Sequence, residues 1–381
     1  MENYGKIDPE TGLSTRLLDF LRSFDFLVDY ALEHKVNAVL FSGDAYKNRE
    51  PNPTQQREFA KRILRLAKNG IPVVLLVGNH DTPNVEAKAN TLDIYSTLEL
   101  PNIFVIRTPQ LITVPLTDCE TFQSLQIIGL PWLSKRDFEL LPDTLRSFYE
   151  KIAPDSPAIT LYHGTVEGSA YGSERALTLG KDPVVPLSLL TSTLVSYVGL
   201  GHIHKRQILS ENPPVLYPGS IERVDFGEEK EEKGFEVVEI DAKKKATHRC
   251  ILTPARKFIT INCTLTEESL DPTEEVLQSI VKTEIEASVV KIVLTISQEN
   301  LERLRIPDIK KAVEARAYAL AGITKNVERS LRQRLEGVSA EELSPIEALQ
   351  KYFEVKQYSE SRIKTLEQYG RELIEGLIRK E

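Results

Sequence analysis

The chain has 381 residues, of which 41% are hydrophobic and 27% are charged, and its formal net charge is −8. This composition is typical of a globular protein, and the length exceeds one ordinary hydrophobic core, so we expect two or three domains. No apolar run of about 18 residues occurs, which argues against a membrane-spanning helix. The three cysteines are widely spaced and form no Cys-x-x-Cys pair. They indicate neither a disulfide framework nor a zinc site, and we expect a cytoplasmic protein.

The first part of the chain alternates amphipathic helices with short apolar strands, a pattern typical of α/β folds. Helices are predicted at 13–34, 54–68 and 85–98. Strands are predicted at 36–41, 71–77, 125–130, 158–161, 194–200, 215–217, 235–240 and 248–253. The later strands alternate in polarity, which favours an antiparallel edge or a second sheet. The acidic and basic run 228–233 is interpreted as a hydrated hairpin loop.

The pattern changes near Pro254, which predicts a domain organisation of 1–253, 254–334 and 335–381. The middle segment is interpreted as a small βαβα domain, with strands at 258–265 and 289–296 and helices at 272–284 and 307–321. After a linker at 335–342, two amphipathic helices are predicted, one opening at Ser344 and the other at Ser359 or Glu360. The last segment no longer belongs to a sheet.

Four polar segments follow predicted strands and contain four of the six histidines. They are Ser42-Gly43-Asp44, Gly78-Asn79-His80-Asp81, Tyr162-His163-Gly164 and Gly201-His202-Ile203-His204. Polar residues at the carboxyl ends of parallel strands converge along one edge of a sheet. A mixed Asp, Asn and His set suits Mn²⁺, Fe or Zn²⁺, and it does not suit Ca²⁺ or a thiolate cluster.

Each of these segments has an ordinary explanation when it is taken singly. Gly-Asp after a strand is a common turn, and Asn-His-Asp could cap a helix. His-x-His places two rings on the same face of any strand. Their combination is specific, however, and indicates a metal-dependent phosphoesterase.

In this order the segments resemble the motifs of the calcineurin-like metallophosphoesterases, and within them the SbcD-type DNA-repair nucleases, partners of an SbcC-type ATPase. The resemblance covers nearly the whole chain and includes Glu2-Asn3-Tyr4-Gly5, residues 43–59 and Pro218-Gly219-Ser220. Protein phosphatases of the superfamily carry Gly-Asp-x-x-Asp-Arg-Gly, which is absent here. The resemblance implies an α/β fold: a two-sheet α/β sandwich metallophosphoesterase core with a small α/β capping domain and a C-terminal helix pair.

The resemblance also implies a role for each matching residue. Two divalent metal ions, with Mn²⁺ expected, would be held by Asp44 as the bridge, by Asn79, His163 and His202 at one ion, and by His204 at the other. His80 would lie beside the scissile phosphate, and Asp81 would orient its ring. Two cations about 3.5–4 Å apart clamp a phosphodiester and lower the pKa of a bridging water.

One motif of the family is missing from this sequence. The family has an Asp-x-His at the end of its first strand, just before the segment that matches Glu2 to Gly5, and no Asp-x-His occurs in this chain. Met1 is the only methionine, which fits a start codon inside a longer reading frame. We therefore expect a short upstream segment that supplies this strand and its two ligands.

The net charge of −8 is unfavourable for binding a phosphate backbone. Metal ions, which this count omits, add local positive charge. The candidate contacts to substrate are Lys47, Asn48, Arg49 and Arg223.

The expected function is Mn²⁺-dependent hydrolysis of DNA phosphodiesters, as 3′→5′ exonuclease and endonuclease in double-strand-break repair. The resemblance implies an SbcC-type ATPase bound through 335–381 and a homodimer formed through helices 54–68 and 85–98. The candidate dimer contacts are Phe59, Ile63, Leu92, Tyr95 and Leu98, with packing on the sheet as the alternative. Two other functions remain open: a scaffold without nuclease activity, because Asp-x-His is absent, and a small-molecule phosphodiesterase.

Overall fold

The computed structural model describes residues 5–83, 88–172, 182–266 and 269–328, and in the C-terminal part positions 346, 347, 349, 353, 363, 364 and 366–371. The chain divides into two compact units. One consists of Met1–Ile259 with Ala287–Val289, and the other of Thr260–Glu286 with Val290–Glu381. None of the described helices is long and apolar enough to cross a bilayer.

The first unit begins with a parallel three-stranded sheet and three helices. The helices are α1 (Thr15–Glu33), α2 (Pro53–Lys68) and α3 (Asp93–Thr97). The strands, in their order in the sheet, are β1 (Val39–Phe41), β2 (Val73–Leu76) and β3 (Ile103–Ile106). Asn52 caps the start of α2. Its side-chain oxygen accepts the backbone N–H of Gln55, and the side-chain oxygen of Gln55 accepts the backbone N–H of Asn52. This reciprocal pair is a capping box, which fixes the start of the helix.

A six-stranded sheet follows in the same unit. Its strands, in spatial order, are β10 (Gln207–Glu211), β11 (Pro214–Tyr217), β9 (Tyr197–Gly201), β6 (Ala158–His163), β5 (Ser124–Leu130) and β4 (Gln110–Pro115). The four central strands are parallel, and each edge strand is antiparallel to its neighbour. The remaining described elements are α4 (Lys135–Tyr149), α5 (Leu187–Leu190), the short pair β7 (Thr165–Val166) and β8 (Val184–Val185), the 3₁₀ helix Phe226–Glu228, and the hairpin β12 (Gly234–Ile240) and β13 (Ala246–Leu252).

The two sheets pack face to face. Successive side chains of β2 point to opposite faces, so Val73 and Leu75 pack with α1 and α2, whereas Val74 and Leu76 join residues of the second sheet. All four are fully buried, and each contributes about 1.5–3 kcal/mol of hydrophobic stabilisation. The predicted two-sheet α/β sandwich core is therefore confirmed.

The second unit contains most of a three-stranded sheet in the order β14 (Phe258–Leu265), β15 (Val289–Ser297) and β16 (Ala319–Glu328). Its helices are α6 (Pro272–Lys282), α7 (Gln298–Arg303) and α8 (Ile306–Glu314). The predicted helix 307–321 was wrong in its last part, because the chain turns after α8 and enters β16. The unit is thus not the βαβα arrangement that the sequence predicted.

Three further differences concern the first unit and the C-terminus. The predicted helix 85–98 is helical only in α3, with 84–87 outside the described residues. Helix α4 and the strands β3, β4 and β10 were not predicted. The two predicted C-terminal helices lie mostly outside the described residues.

Candidate metal centre

The predicted ligands lie at the carboxyl ends of parallel strands in both sheets. Asp44 and Asn79 follow β1 and β2 in the first sheet, while His163 ends β6 and His202 follows β9 in the second. His163 is the ladder partner of Gly201, which places the two histidines side by side. The face-to-face packing of the sheets brings the four residues together.

Their donor atoms converge on one point. Asn79 Oδ1 lies 3.0 Å from both His163 Nε2 and His202 Nδ1, and Asp44 Oδ2 lies 3.3 Å from His163 Nε2. Ligands held about 2.1 Å from one ion lie about 3.0–3.4 Å from one another. One carboxylate, one amide oxygen and two imidazoles therefore fit a single divalent cation in both spacing and chemistry.

Hydrogen bonds behind the two rings fix which nitrogen faces this point. The His163 Nδ1–H donates to the Ser42 carbonyl oxygen at 2.6 Å, and the His202 Nε2–H donates to Asp182 Oδ2 at 3.0 Å. The inner nitrogens then carry lone pairs, as metal-ligating histidines do when an outer partner holds the proton. In the neutral rings the inner nitrogens face the oxygens of Asp44 and Asn79 with lone pairs, and a bound cation would relieve the repulsion between these four atoms.

The backbone at the site is strained. Asp44 has φ +58° and His202 has φ +92°, a region that costs about 1–3 kcal/mol for residues other than glycine and that clusters at functional sites. Gly78 and Gly201 allow the loop that carries Ser42 and Asp44 to approach the ends of the neighbouring strands closely. A Cβ at Gly78 would lie 2.3 Å from Asp44 Oδ1, and one at Gly201 would lie 1.9 Å from the Ser42 carbonyl oxygen.

The charges at the site are coupled. Burial opposes ionisation of Asp44, but His163 and His80 hold its pKa well below the usual range. Burial also opposes protonation of His163, whose pKa is nevertheless raised by Asp44. Burial and the neighbouring His163 lower the pKa of His202. Asp44 is therefore ionised in the folded protein.

His80 and Asp81 are adjacent in sequence but differ in environment. His80 is exposed, and its backbone N–H donates to Asp44 Oδ1 at 2.8 Å. Asp81 is fully buried and accepts the backbone N–H groups of Gly78, Asp44 and Ala45. The described hydrogen bonds of the Asp81 carboxylate go to these amides and to Thr91 Oγ1, and its role in orienting the His80 ring stays a prediction. Asp81 ties together the two loops that carry Asp44 and Asn79.

His204 is not one of the three residues whose ligand atoms cluster within 4.8 Å, which are Asp44, His163 and His202. Its Nδ1 lies 2.8 Å from Glu228 Oε1. The prediction of a hydrated loop at 228–233 is wrong for its two ends, since Glu228 is 0% and Lys233 is 3% exposed, whereas Lys230 and Glu232 are exposed. Burial would raise the pKa of Glu228, but the hydrogen bond from His204 and the charge of Lys233 lower it to about 2.

The predicted substrate contacts fall into two groups. Lys47, Asn48 and Arg49 are exposed beside the site, and Arg49 Nε donates to the Asn79 carbonyl oxygen at 3.1 Å. Arg223 is half-buried, and its guanidinium donates to the carbonyl oxygens of Arg256 and Glu231. These bonds give Arg223 a structural role, and its contact with substrate stays a prediction.

The sequence did not single out two side chains that border the cluster. The Trp132 ring centroid lies 5.4 Å from that of His202 and 6.3 Å from that of His163. Trp132 follows β5 at its carboxyl end, so the rule that located the other residues could have found it. Asp182, the partner of His202, lies on a loop with no local sequence signal.

Four of the five candidate dimer contacts are core residues. Phe59, Ile63, Leu92 and Tyr95 are at most 6% exposed and belong to the cluster between the first sheet and its helices. Leu98, which directly follows α3, is 59% exposed, and Ile94 on α3 is 53% exposed. Packing against the first sheet accounts for the burial of the first four residues.

Comparisons with known proteins agree with this geometry. A family described as calcineurin-like phosphoesterase matches residues 15–206, which include all four converging residues. The DNA double-strand break repair protein Mre11 of Archaeoglobus fulgidus is 28% identical over 225 residues, covering 56% of this chain and 47% of the relative. The uncharacterized metallophosphoesterase YhaO of Bacillus subtilis is 27% identical over 219 residues, covering 56% and 48%.

One component of the nuclease SbcCD of Escherichia coli K12 is 26% identical over 226 residues, covering 54% of this chain and 55% of the relative. The chain thus spans about half the length of the curated relatives that it matches. The family match covers half of the chain and contains the whole candidate metal centre. The chain belongs to the calcineurin-like phosphoesterase family.

Proposed function

We propose that this protein hydrolyses DNA phosphodiester bonds with a divalent metal, Mn²⁺ being the expected ion. The observation that carries the proposal is the convergence of Asp44, Asn79, His163 and His202, with the exposed His80 next to them. Relatives named as a double-strand break repair protein and as part of a nuclease support DNA as the substrate.

In this proposal the four converging residues bind the metal ion, and His80 acts on the substrate. A bound divalent cation polarises a phosphoryl oxygen and lowers the pKa of a water. Asp44, Asn79, His163 and His202 would hold it. The exposed ring of His80 would stabilise the developing charge or protonate the leaving oxygen. Because the backbone N–H of His80 donates to Asp44 Oδ1, the backbone of His80 is held next to these four residues.

The finer assignments are part of the same proposal. We expect 3′→5′ exonuclease and endonuclease activity, with Lys47 and Arg49 contacting the backbone and 254–334 limiting access to the metals. A second ion would be shared by Asp44 and His204. An SbcC-type ATPase would bind 335–381, and a homodimer would use the exposed Ile94 and Leu98 in place of the buried candidates. The protein would act in the cytoplasm.

A scaffold without nuclease activity is the second candidate. The family's Asp-x-His is absent from this sequence, and the described residues bring together a three-residue cluster that omits His204. A small-molecule phosphodiesterase is the third.

The decisive experiment measures Mn²⁺-dependent cleavage of a blunt or 3′-recessed DNA duplex and of bis(p-nitrophenyl) phosphate. Wild type is compared with His163→Ala, which removes a ligand, and with His34→Ala, a matched control at an exposed histidine outside the site. DNA cleavage that is lost only in His163→Ala supports the proposal. Cleavage of the small substrate alone points to the third function, and DNA binding without any cleavage points to the scaffold.

A further inference from the structure

A buried ion pair lies directly behind His204. Lys233 Nζ and Glu228 Oε2 are 2.7 Å apart, and both side chains are fully buried. Such a pair is costly to desolvate and is often no more stable than apolar residues of the same size. Stability alone therefore does not explain why two charged residues occupy this position.

The contacts of the pair supply that reason, because both members hold His204. Glu228 Oε1 lies 2.8 Å from His204 Nδ1, and Lys233 Nζ donates to the His204 carbonyl oxygen at 3.2 Å. The Ser220 N–H donates to the same carbonyl at 3.1 Å. A Cβ at Gly219 would lie 2.6 Å from this oxygen, so the turn 218–220 packs tightly against the histidine. The ring and the backbone of one residue are thus fixed from two sides.

The second oxygen of Glu228 is also engaged. Besides Lys233 it accepts the Val224 N–H at 3.0 Å, and Ser220 Oγ lies 3.4 Å away. Lys233 in turn contacts Glu231 at 2.8 Å. The carboxylate therefore has little freedom to rotate, and it can hold the ring in one orientation.

We infer that Glu228, held by Lys233, is the positioning residue that keeps His204 in the Nδ1–H tautomer and presents Nε2 as the ligating atom. An acidic partner on the outer nitrogen fixes the tautomer and raises the basicity of the inner one. The inference deepens the proposed function, since it rests on His204 as a ligand of that site. Asp182 has the equivalent position behind His202, so both histidines of the Gly-His-x-His segment have a carboxylate partner.

The first test determines the tautomer of His204 in the metal-free protein and does not depend on catalytic activity. Long-range ¹H–¹⁵N correlation spectra of the metal-free, histidine-labelled protein distinguish protonation at Nδ1 from protonation at Nε2. A His204→Gln variant assigns the signal. We expect an Nδ1–H ring in wild type and in Glu228→Gln, whose amide oxygen still accepts. We expect a shift to Nε2–H in Glu228→Met, which keeps the length of the side chain but removes the acceptor.

Glu228→Met leaves Lys233 without its main partner and could unfold the protein, so Glu228→Met/Lys233→Met is measured beside it. Replacing both members of a buried pair by apolar residues is often neutral for stability. Glu58→Met is the matched control, because Glu58 is a buried acid paired with Arg62 on α2 and has no contact with His204 among the described hydrogen bonds. An unchanged Nδ1–H signal in the double variant overturns the inference.

Calorimetric titration with Mn²⁺ gives the second readout. Loss of an outer partner typically weakens metal binding 10–100-fold, and we expect this for the second ion, which His204 would share, in both Met variants but not in Glu58→Met. Wild-type affinity for that second ion in the double variant overturns the inference. If the wild type itself binds no Mn²⁺, the proposed function fails, while the tautomer measurement still decides the role of Glu228.

Discussion

Substitution of Gly78 by alanine tests the geometry of the metal centre directly. The added Cβ would lie 2.3 Å from Oδ1 and 2.4 Å from the backbone nitrogen of Asp44, and 2.8 Å from His163 Cε1. Ordinary contact begins near 3.4 Å. Asp44 therefore has to move by about 1 Å, whereas a metal–ligand distance tolerates about 0.2 Å.

Overpacking of this kind lowers the free energy of unfolding by about 1–3 kcal/mol. We expect Gly78→Ala to show this loss in urea unfolding. We also expect it to bind Mn²⁺ about 100-fold more weakly, the upper end of the effect of disturbing the surroundings of a ligand. Calorimetry measures the affinity. Fluorescence of Trp132, the only tryptophan, gives a second measure because the ring lies beside His163 and His202.

Gly322→Ala is the matched control, since a Cβ at this position meets no heavy atom within 4 Å. It should change neither Mn²⁺ affinity nor stability beyond a few tenths of a kcal/mol, and a gain is possible because glycine weakens a strand interior. The reasoning is refuted if Gly78→Ala binds Mn²⁺ as tightly as the wild type and unfolds at the same urea concentration.

Four further measurements follow from the site. His80→Ala should abolish turnover while Mn²⁺ content stays unchanged, and loss of metal would instead show that His80 is a ligand. Asp182→Ala should weaken Mn²⁺ binding 10–100-fold, because His202 loses its outer hydrogen-bond partner. Asp182→Asn should weaken binding less, because it removes only the charge of that partner. Wild-type Mn²⁺ affinity in Asp182→Ala would contradict this role. Mn²⁺ at 100 times its Kd should raise the free energy of unfolding by about 2.7 kcal/mol, an effect that EDTA reverses and that His163→Ala should lack. Arg223→Ala should lower the free energy of unfolding by about 1–3 kcal/mol for each carbonyl oxygen that loses the Arg223 donor, and DNA affinity should stay unchanged. Weaker DNA binding at unchanged stability would instead support Arg223 as a substrate contact.

The sequence predicted the centre of the fold because the strands there are short, apolar and followed by glycine. Such strands place whatever follows them at one edge of a parallel sheet. Asp44, Asn79, His163 and His202 could be grouped on this rule alone, without knowledge of any contact. The same rule could not separate His204 from them, because its position depends on a partner 24 residues later in the chain.

Tertiary contacts decide the features that the sequence missed. The segment 315–321 is rich in alanine, the best helix former, but pairing with β15 draws part of it into β16. Glu228 and Lys233 have the composition of a surface loop, and tertiary contacts, among them those with His204, hold them in the interior. Phe59 and Tyr95 could have faced either a partner chain or the sheet, and the helical period does not distinguish these two surfaces.

The four converging residues come from segments that are far apart in the chain, from Asp44 in the first sheet to His202 in the second. Local structure cannot preform such a site, because no two of its members share a helix or a turn. During synthesis, a chain that ends before residue 202 lacks one of the four converging residues, however well its first sheet has folded. Under the proposed function, a growing or partly folded chain is therefore expected to be unable to cut phosphodiesters until the sheet that carries His202 has been made.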